Sequence, residues 1–294
     1  MIDSKRISIY EILIGFIILV FSAFCLAPIL LVLSISFTDE RTLLMYGFNL
    51  WPRVFSIEAY EMLFAGTHIF RSYAVTIFIT VVGTLSAMVL TMGAAFCLAN
   101  KQVYYRNHLA FFFFFTMLFS GGLVPWFLIN TFLGLRDNIW ALIIPSLMFT
   151  PFNMFLVRNF MAGIPDSLME SAKIDGAGEI SIAVKIYLPL CVPVFAAVSL
   201  FYAIGYWNDW WNAIMLVDNR DLFPLQYFLF KLQSEAAMLR DLQQMGTAGG
   251  PRVLLPTESL RMATAIVTIG PIIFLYPFLQ KYFVQGLIVG SVKG

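Results

Sequence analysis

Charge is what this chain has least of. Only 12% of its 294 residues are charged, about half the share found in an ordinary soluble domain. Its 18 basic and 17 acidic side chains nearly cancel, leaving a net charge of +1. That balance provides no basic surface for nucleic acid and no acidic field to draw a cation, so no nucleic-acid partner is expected. Cysteine is equally scarce. Cys25, Cys97 and Cys191 are far apart, odd in number and each in or beside an apolar run, which suits small hydrophobes and neither a disulfide framework nor a metal cluster. Catalytic patterns are missing as well. His68 and His108 stand alone, with no H-E-x-x-H, no Ser-centred elbow and no paired carboxylates. Nothing fits G-x-x-x-x-G-K-[ST]. The expectation is a chain that is not an enzyme and holds no metal or cofactor of its own.

What is present is apolar. Sixty per cent of the residues are hydrophobic, with 30 Phe and 14 Met, and the mean hydropathy is +0.85. These values describe an all-α integral membrane protein in contact with the lipid bilayer. A helix needs about 20 apolar residues to cross the hydrocarbon core, and six stretches qualify: 12–36, 74–99, 109–132, 139–157, 191–217 and 262–279. The first follows Lys5 and Arg6 but is too long for the apolar core of a signal peptide, and Phe24 before Cys25 is too large for a lipoprotein cleavage site, so a retained span is expected. The last carries Pro271 and Pro277 and reads as a kinked helix packed in a bundle. The whole, 1–294, reads as a single transmembrane domain without internal repeats.

With six spans both termini share one face. Lys+Arg number nine on each side, but six of the seven lysines fall on the terminal face and only Lys231 falls opposite. Lys101 and Arg106 also share a short connection that has no acid. The positive-inside rule then puts both termini in the cytoplasm. The outer connections are 38–71, with a short helix expected after Ser56, a tight turn at 134–138, and a long mixed loop at about 218–258 that carries Gly249-Gly250-Pro251 near its end.

A polar island at about 158–190 separates the fourth and fifth spans. Pro165 and Asp166 open a helix, and Leu168, Ser171, Ala172 and Asp175 follow the spacing of one helical face. Gly176 can adopt the left-handed conformation that stops the helix, and a second short helix is expected from about 179 to 187. Two short helices held off the membrane form a compact knob suited to docking.

In the fifth span, regular helical spacing would put Asn208, Trp211, Asn212 and Met215 on one face. Aromatic rings stack on the C–H faces of sugars, and amides and carboxylates take the hydroxyls. Asp209 would avoid lipid and face a cavity or the bundle interior. Asn208, Asp209, Trp211 and Asn212 are therefore candidates for a substrate path. The same cluster would also suit an interfacial aromatic belt.

The run Glu170-Ser171-Ala172, three residues, Gly176, nine residues, then Ile186-Tyr187-Leu188-Pro189 resembles the coupling-loop signature of ATP-binding-cassette importer permeases. Ser171 stands where that family usually has Ala. Phe119-Ser120-Gly121-Gly122-Leu123-Val124-Pro125 and Tyr206-Trp207-Asn208-Asp209-Trp210 resemble stretches of the branch that works with lipoprotein receptors for polysaccharide fragments. The ending Gly286 to Gly294 is similar to the tail of carbohydrate permeases. The resemblance implies six transmembrane helices in the type I ABC importer permease fold and a role in ATP-driven, binding-protein-dependent uptake of sugars or oligosaccharides. The implied partners are a second permease subunit, two cytoplasmic ATPase subunits that bind the ATP and Mg, and an extracytoplasmic solute-binding lipoprotein. Coupling to the ATPase would run through the 166–178 loop by Glu170, Ala172, Asp175, Gly176 and Ala177. Gly249, Gly250 and Pro251 would meet the binding protein, as the corresponding loop does in a related maltose permease. A secondary transporter or channel subunit is the rival reading; it would be expected to carry more charged or broken helices near the midplane.

Overall fold

The structure, a computed structural model, describes residues 9–145, 147–244 and 257–269. The chain divides into two compact units, Met1–Thr67 with Leu229–Gly270, and His68–Phe228 with Pro271–Gly294. Apart from a single antiparallel bridge between Thr38 and Phe55, the regular structure among the described residues is helical.

The first unit begins with α1 (Ile9–Ser36). This helix is apolar on every side and exposed at residues 9, 10 and 12–30, which is the pattern of a helix whose solvent is lipid. At its end the chain turns on an aromatic stack, with Phe37 lying 5.4 Å from Phe55 and 4.8 Å from Tyr60. The Ser36 and Tyr60 hydroxyls are 2.8 Å apart. Asp39 caps α2 (Glu40–Tyr46) by accepting from the Thr42 N–H. A helix does form here, α3 (Glu58–Phe64), but its N-cap is Ile57, which makes no side-chain capping bond; Ser56, the expected cap, lies one residue earlier and accepts from the Glu58 N–H.

The second unit is organised by α4 (His68–Ala99), whose 32 residues give a length of about 48 Å. Its buried positions, Ile69, Ser72, Thr76, Ile79, Gly83, Ala87, Thr91 and Ala95, recur every three or four residues. The stripe is mostly small, so neighbouring backbones approach closely, as they do between helices in membranes. Around it lie α5 (Arg106–Leu118), α6 (Leu123–Phe132), a 3₁₀ turn at Ile139–Leu142 and α7 (Pro151–Met161). Next come α8 (Asp166–Ile174), α9 (Glu179–Ile182), a π-helical turn at Ala183–Tyr187 and α10 (Leu188–Leu190). The chain continues through α11 (Val192–Trp207), α12 (Trp211–Leu216) and a 3₁₀ turn at Arg220–Leu222 into α13 (Leu225–Gln244). A helix over 257–269, α14, belongs to the first unit.

Buried tyrosines fasten α11 to α4. The Tyr202 hydroxyl lies 2.8 Å from Thr91 Oγ1 and accepts from the Thr150 N–H, joining α4, α7 and α11. Tyr206, fully buried, donates to the Ile143 carbonyl at 2.9 Å. Its ring lies against the bare backbone of Gly83, where a Cβ would sit 2.5 Å from the ring carbons.

Two spans, 12–36 and 74–99, appear as single helices. The other apolar stretches are interrupted. The 109–132 stretch breaks after Leu118, and α6 leaves at 116° to α5. Gly122 makes that corner with φ +84°, a conformation in which a Cβ would clash with the backbone. The 139–157 stretch is a 3₁₀ turn and then α7. The 191–217 stretch stops at Trp207 and restarts at Trp211, and α11 itself sets off at 86° to the helical segment before it. For 262–279 the described part, 262–269, is helical. Hydropathy sums side chains over a window and does not register a glycine corner or a cap that breaks the backbone within it. The long connection at 218–258 likewise contains a 20-residue helix, α13.

Two polar clusters nevertheless mark opposite ends of α4. Beyond its C-terminus, Lys101 pairs with Asp166, and Lys173 donates to Gln102 and pairs with Glu179. Near its N-terminus, Arg71 pairs with Asp221 and Arg136 with Asp218. There Asp137 Oδ1 accepts from the Asp218 and Asn219 N–H groups. The chain passes between these levels four times, through α4, residues 106–136, residues 138–166 and residues 187–217. The passes survive although the helices that make them are broken.

The contact between Gly83 and Tyr206 gives a direct test. Gly83→Ala should destabilise the protein by about 1–3 kcal/mol through overpacking. Tyr206→Leu should also destabilise it, by loss of ring and hydrogen bond. The double variant should lose clearly less than the sum, because the smaller side chain makes room for the new methyl. Thermal unfolding of the four purified forms in detergent measures this, and strict additivity would contradict the contact.

Candidate functional site

The polar island folds as the knob that its helix signals suggest. Asp166 lies in the first turn of α8 and Lys173 in the last, both favourable to the helix dipole. The helix ends in a two-bond C-terminal motif: the Gly176 N–H donates to the Lys173 carbonyl at 3.0 Å and the Ala177 N–H to the Ala172 carbonyl at 2.9 Å. Gly176 has φ +80°. A residue with a Cβ is strained there by about 1–2 kcal/mol.

The exposed surface of the knob differs from the one the spacing indicated. Glu170, Ser171, Asp175 and Gly176 are exposed. Ala172 is only 9% exposed, and with Met169 it packs into the hydrophobic core of the unit, with Ala177 half-buried against that core. The small side chain lets α8 lie close to its own scaffold and leaves no open face there. Two residues were missed. Ile174 is 86% exposed and Ile180 is 82% exposed, on either side of the Gly176 turn. Their signal was available, as β-branched apolar residues inside an otherwise polar island.

The knob is not loose. The Lys101, Gln102, Asp166, Lys173 and Glu179 cluster holds α8 and the start of α9 to the turn after α4. Arg158 Nε donates to the Leu98 carbonyl at 3.4 Å. On the other side the knob continues into the π-helical turn, where the Leu188 N–H reaches back to the Ala183 carbonyl. The wide turn lies just ahead of Pro189, whose ring would crowd the Lys185 carbonyl in a regular α-helix. Tyr187 anchors this turn inward, edge-on to Phe96 at 5.2 Å.

The aromatic cluster at 206–212 needs a larger correction. Asn208, Trp211, Asn212 and Met215 do not form one continuous helical face, because α11 ends at Trp207 and α12 begins at Trp211. Asp209 makes the break. Its Oδ1 accepts from the Trp211 and Asn212 N–H groups at 3.1 and 3.2 Å, and its Oδ2 accepts from Asn212 Nδ2 at 2.7 Å. The acid is thus half-buried and used as a cap. Asn212 is 1% exposed and its Nδ2 also donates to the Pro145 carbonyl, while its Oδ1 is buried without a hydrogen-bond partner. Asn208, Trp210 and Trp211 remain open. The two indoles meet edge to face at 5.8 Å. Asn208 Oδ1 accepts from Gln226 Nε2 at 3.0 Å, which brings a residue of α13 to the cluster that the sequence did not connect with it. Gly249, Gly250 and Pro251 lie outside the described residues.

The broken helix predicts a separation of roles. Asp209→Ala removes the acceptor for three donors and should lower stability by about 1–2 kcal/mol, as loss of a helix cap does. Trp211→Ala, at an exposed position, should unfold close to wild type. Thermal melts of the purified variants decide it, and the reverse order would contradict the assigned cap.

Comparison with known proteins fits this architecture. Residues 64–289 match the family described as "Binding-protein-dependent transport system inner membrane component". The chain is 38% identical over 287 residues, 97% of it and 99% of its relative, to the polygalacturonan/rhamnogalacturonan transport system permease protein YtcP of Bacillus subtilis (strain 168). It is 39% identical over 272 residues to protein LplC of the same organism, covering 92% of this chain and 90% of LplC. Among solved structures it resembles a chain of a bacterial ABC transporter involved in the import of the acidic polysaccharide alginate, with a TM-score of 0.78 and 29% identity, covering 95% of this chain and 98% of that one. With two polar levels joined by four apolar passes, a clamped knob at one of them and a family match over most of its length, this chain belongs to the inner-membrane components of binding-protein-dependent transport systems and is a multi-pass cell-membrane permease component.

Proposed function

We propose that the chain is one of two permease subunits in an ATP-driven importer of oligosaccharides, with uronate-containing fragments the first class to test. The observation that carries the reading is the knob: a helix closed at Gly176, clamped at Asp166 and Lys173, and presenting Glu170, Asp175, Ile174 and Ile180 outward. Exposed apolar side chains on a polar, rigid projection are what a docking surface requires. The knob is the contact for a separate cytoplasmic ATPase, which binds the ATP and Mg. The termini and the knob lie in the cytoplasm, and an extracytoplasmic binding protein delivers the sugar to the opposite face.

Two features support a partner permease and a watered path. The corner Phe119 to Gly122 is exposed on this chain, and a helix break at membrane depth has to be covered by protein or face water. Trp210, Trp211 and Asn208 are exposed and provide stacking surfaces and an amide, the chemistry that sugars need. The choice of uronates follows from the relatives, since polygalacturonan and alginate are both polyanions built from uronic acids. The second permease would then have to supply cationic groups, because the apolar stretches 109–132, 139–157 and 191–217 of this chain contain no basic residue.

Purification of the assembled complex, followed by ATPase stimulation with loaded binding protein across neutral and uronate oligosaccharides, tests the reading. The expected result is stimulation by a uronate class, retained basal hydrolysis, and loss of coupled transport in Glu170→Ala and in Ile174→Asp with normal assembly. Trp211→Ala should reduce uptake per assembled complex. Failure of any ATPase to co-purify, or full transport in both knob variants, would overturn it.

A further inference from the structure

Glu40 is the first residue of α2, is 3% exposed, and has a task that the sequence gives no hint of. Its side chain reaches the start of α14, more than 200 residues further along the chain. Oε1 accepts from Thr257 Oγ1 at 3.1 Å and from the Glu258 N–H at 3.0 Å. Oε2 accepts from the Ser259 N–H and from Ser259 Oγ, each at 3.0 Å. One carboxylate thus meets four donors, two of them N–H groups of the first helical turn that have no partner within the helix. Its charge also lies at the positive end of the α14 dipole.

The cluster includes α13 as well. Arg240, near the end of that helix, donates to Thr257 Oγ1 at 2.7 Å and lies 3.9 Å from Glu258 Oε1. Arg261 holds the other Glu258 oxygen at 3.5 Å. The Thr257 hydroxyl therefore takes a bond from Arg240 and passes one to Glu40. The start of α14 meets the buried Glu40 carboxylate of α2 directly and the end of α13 joins it through the Thr257 hydroxyl, and α14 contains the first residues, 262–269, of the last apolar stretch.

We propose that Glu40 is the positioning residue of a latch that makes these three elements move as one piece, so that engagement of the binding protein on the outer face is passed to the last span. The inference rests on the importer reading above. Load applied along α13 then reaches α14 through half-buried side chains that are already hydrogen-bonded. Glu40→Gln keeps the size of the side chain but turns an N–H₂ group toward donors, leaving α14 without its full cap. Arg240→Gln leaves the carboxylate satisfied and cuts the tie to α13 at this cluster, while Gln233 of α13 still donates to Thr264 of α14.

Both variants are tested in the assembled complex in lipid nanodiscs, by amide exchange over residues 257–264 and by ATPase activity with and without loaded binding protein. In Glu40→Gln, exchange at Glu258 and Ser259 should rise about tenfold or more, the size expected for lost hydrogen bonds to a charged group. Stimulation should be lost while basal hydrolysis stays near wild type. In Arg240→Gln, exchange should stay near wild type while stimulation falls. If both variants are stimulated normally and wild type is stimulated too, the latch is overturned and the importer reading stands. If loaded binding protein fails to stimulate the wild type, the importer reading falls and the relay falls with it, whereas the exchange measurement still reports on the cap that Glu40 makes.

Discussion

A peptide group without a hydrogen-bond partner is tolerated poorly in hydrocarbon, and the second unit of this protein is arranged around that constraint. Its apolar passes are not uninterrupted helices, so each break releases N–H and C=O groups that something must meet. At the 208–210 break the Asp209 carboxylate takes two N–H groups of the following helix. At the Pro145 turn the carbonyl, which already accepts from the Leu147 N–H, takes a second bond from the Asn212 amide. Tyr202 and Tyr206 do the same work deeper in the unit, one accepting from the Thr150 N–H and the other donating to the Ile143 carbonyl. Several polar side chains in the apolar stretches are therefore spent on the backbone, among them the Asp209 carboxylate and the Asn212 Nδ2.

The same breaks explain the close packing of α4. The Tyr206 phenol reaches the Ile143 carbonyl with its ring in direct contact with the α4 backbone. Gly83 allows this for Tyr206, and the small residues above and below it keep the seam narrow. The long straight helix supplies the span, and the irregular passes fold onto it. The polar clusters at its two ends then hold the turns in register, with Lys101 and Lys173 at one level and Arg71 and Arg136 at the other. Exposed ion pairs of this kind contribute little individually to stability, so their role is to fix geometry, above all that of the knob.

The knob joins rigidity to exposure. The glycine stop and the clamp prevent α8 from fraying, while Ile174 and Ile180 stay open to a partner. Behind it the π-helical turn and Pro189 redirect the chain sharply into α11.

The sequence alone determined the class of the protein, the two long spans, the capped knob and its glycine stop, because each depends on local chemistry: hydropathy, dipole-matched charges and a left-handed φ that glycine adopts readily. Its signature spacing also identified the family. Only the tertiary structure decided which side chains are free. Ala172 turned inward because α8 needs a scaffold to lie on, and Asn212 and Asp209 became supports because a helix break between them had to be capped. The corner at Gly122 and the interruption after Trp207 were invisible to a hydropathy window, since apolar side chains flank both. Glu40 is the clearest case. Its partners at Thr257, Glu258 and Ser259 are distant in the chain, and no local pattern can announce a hydrogen bond that exists only once the fold has brought them together.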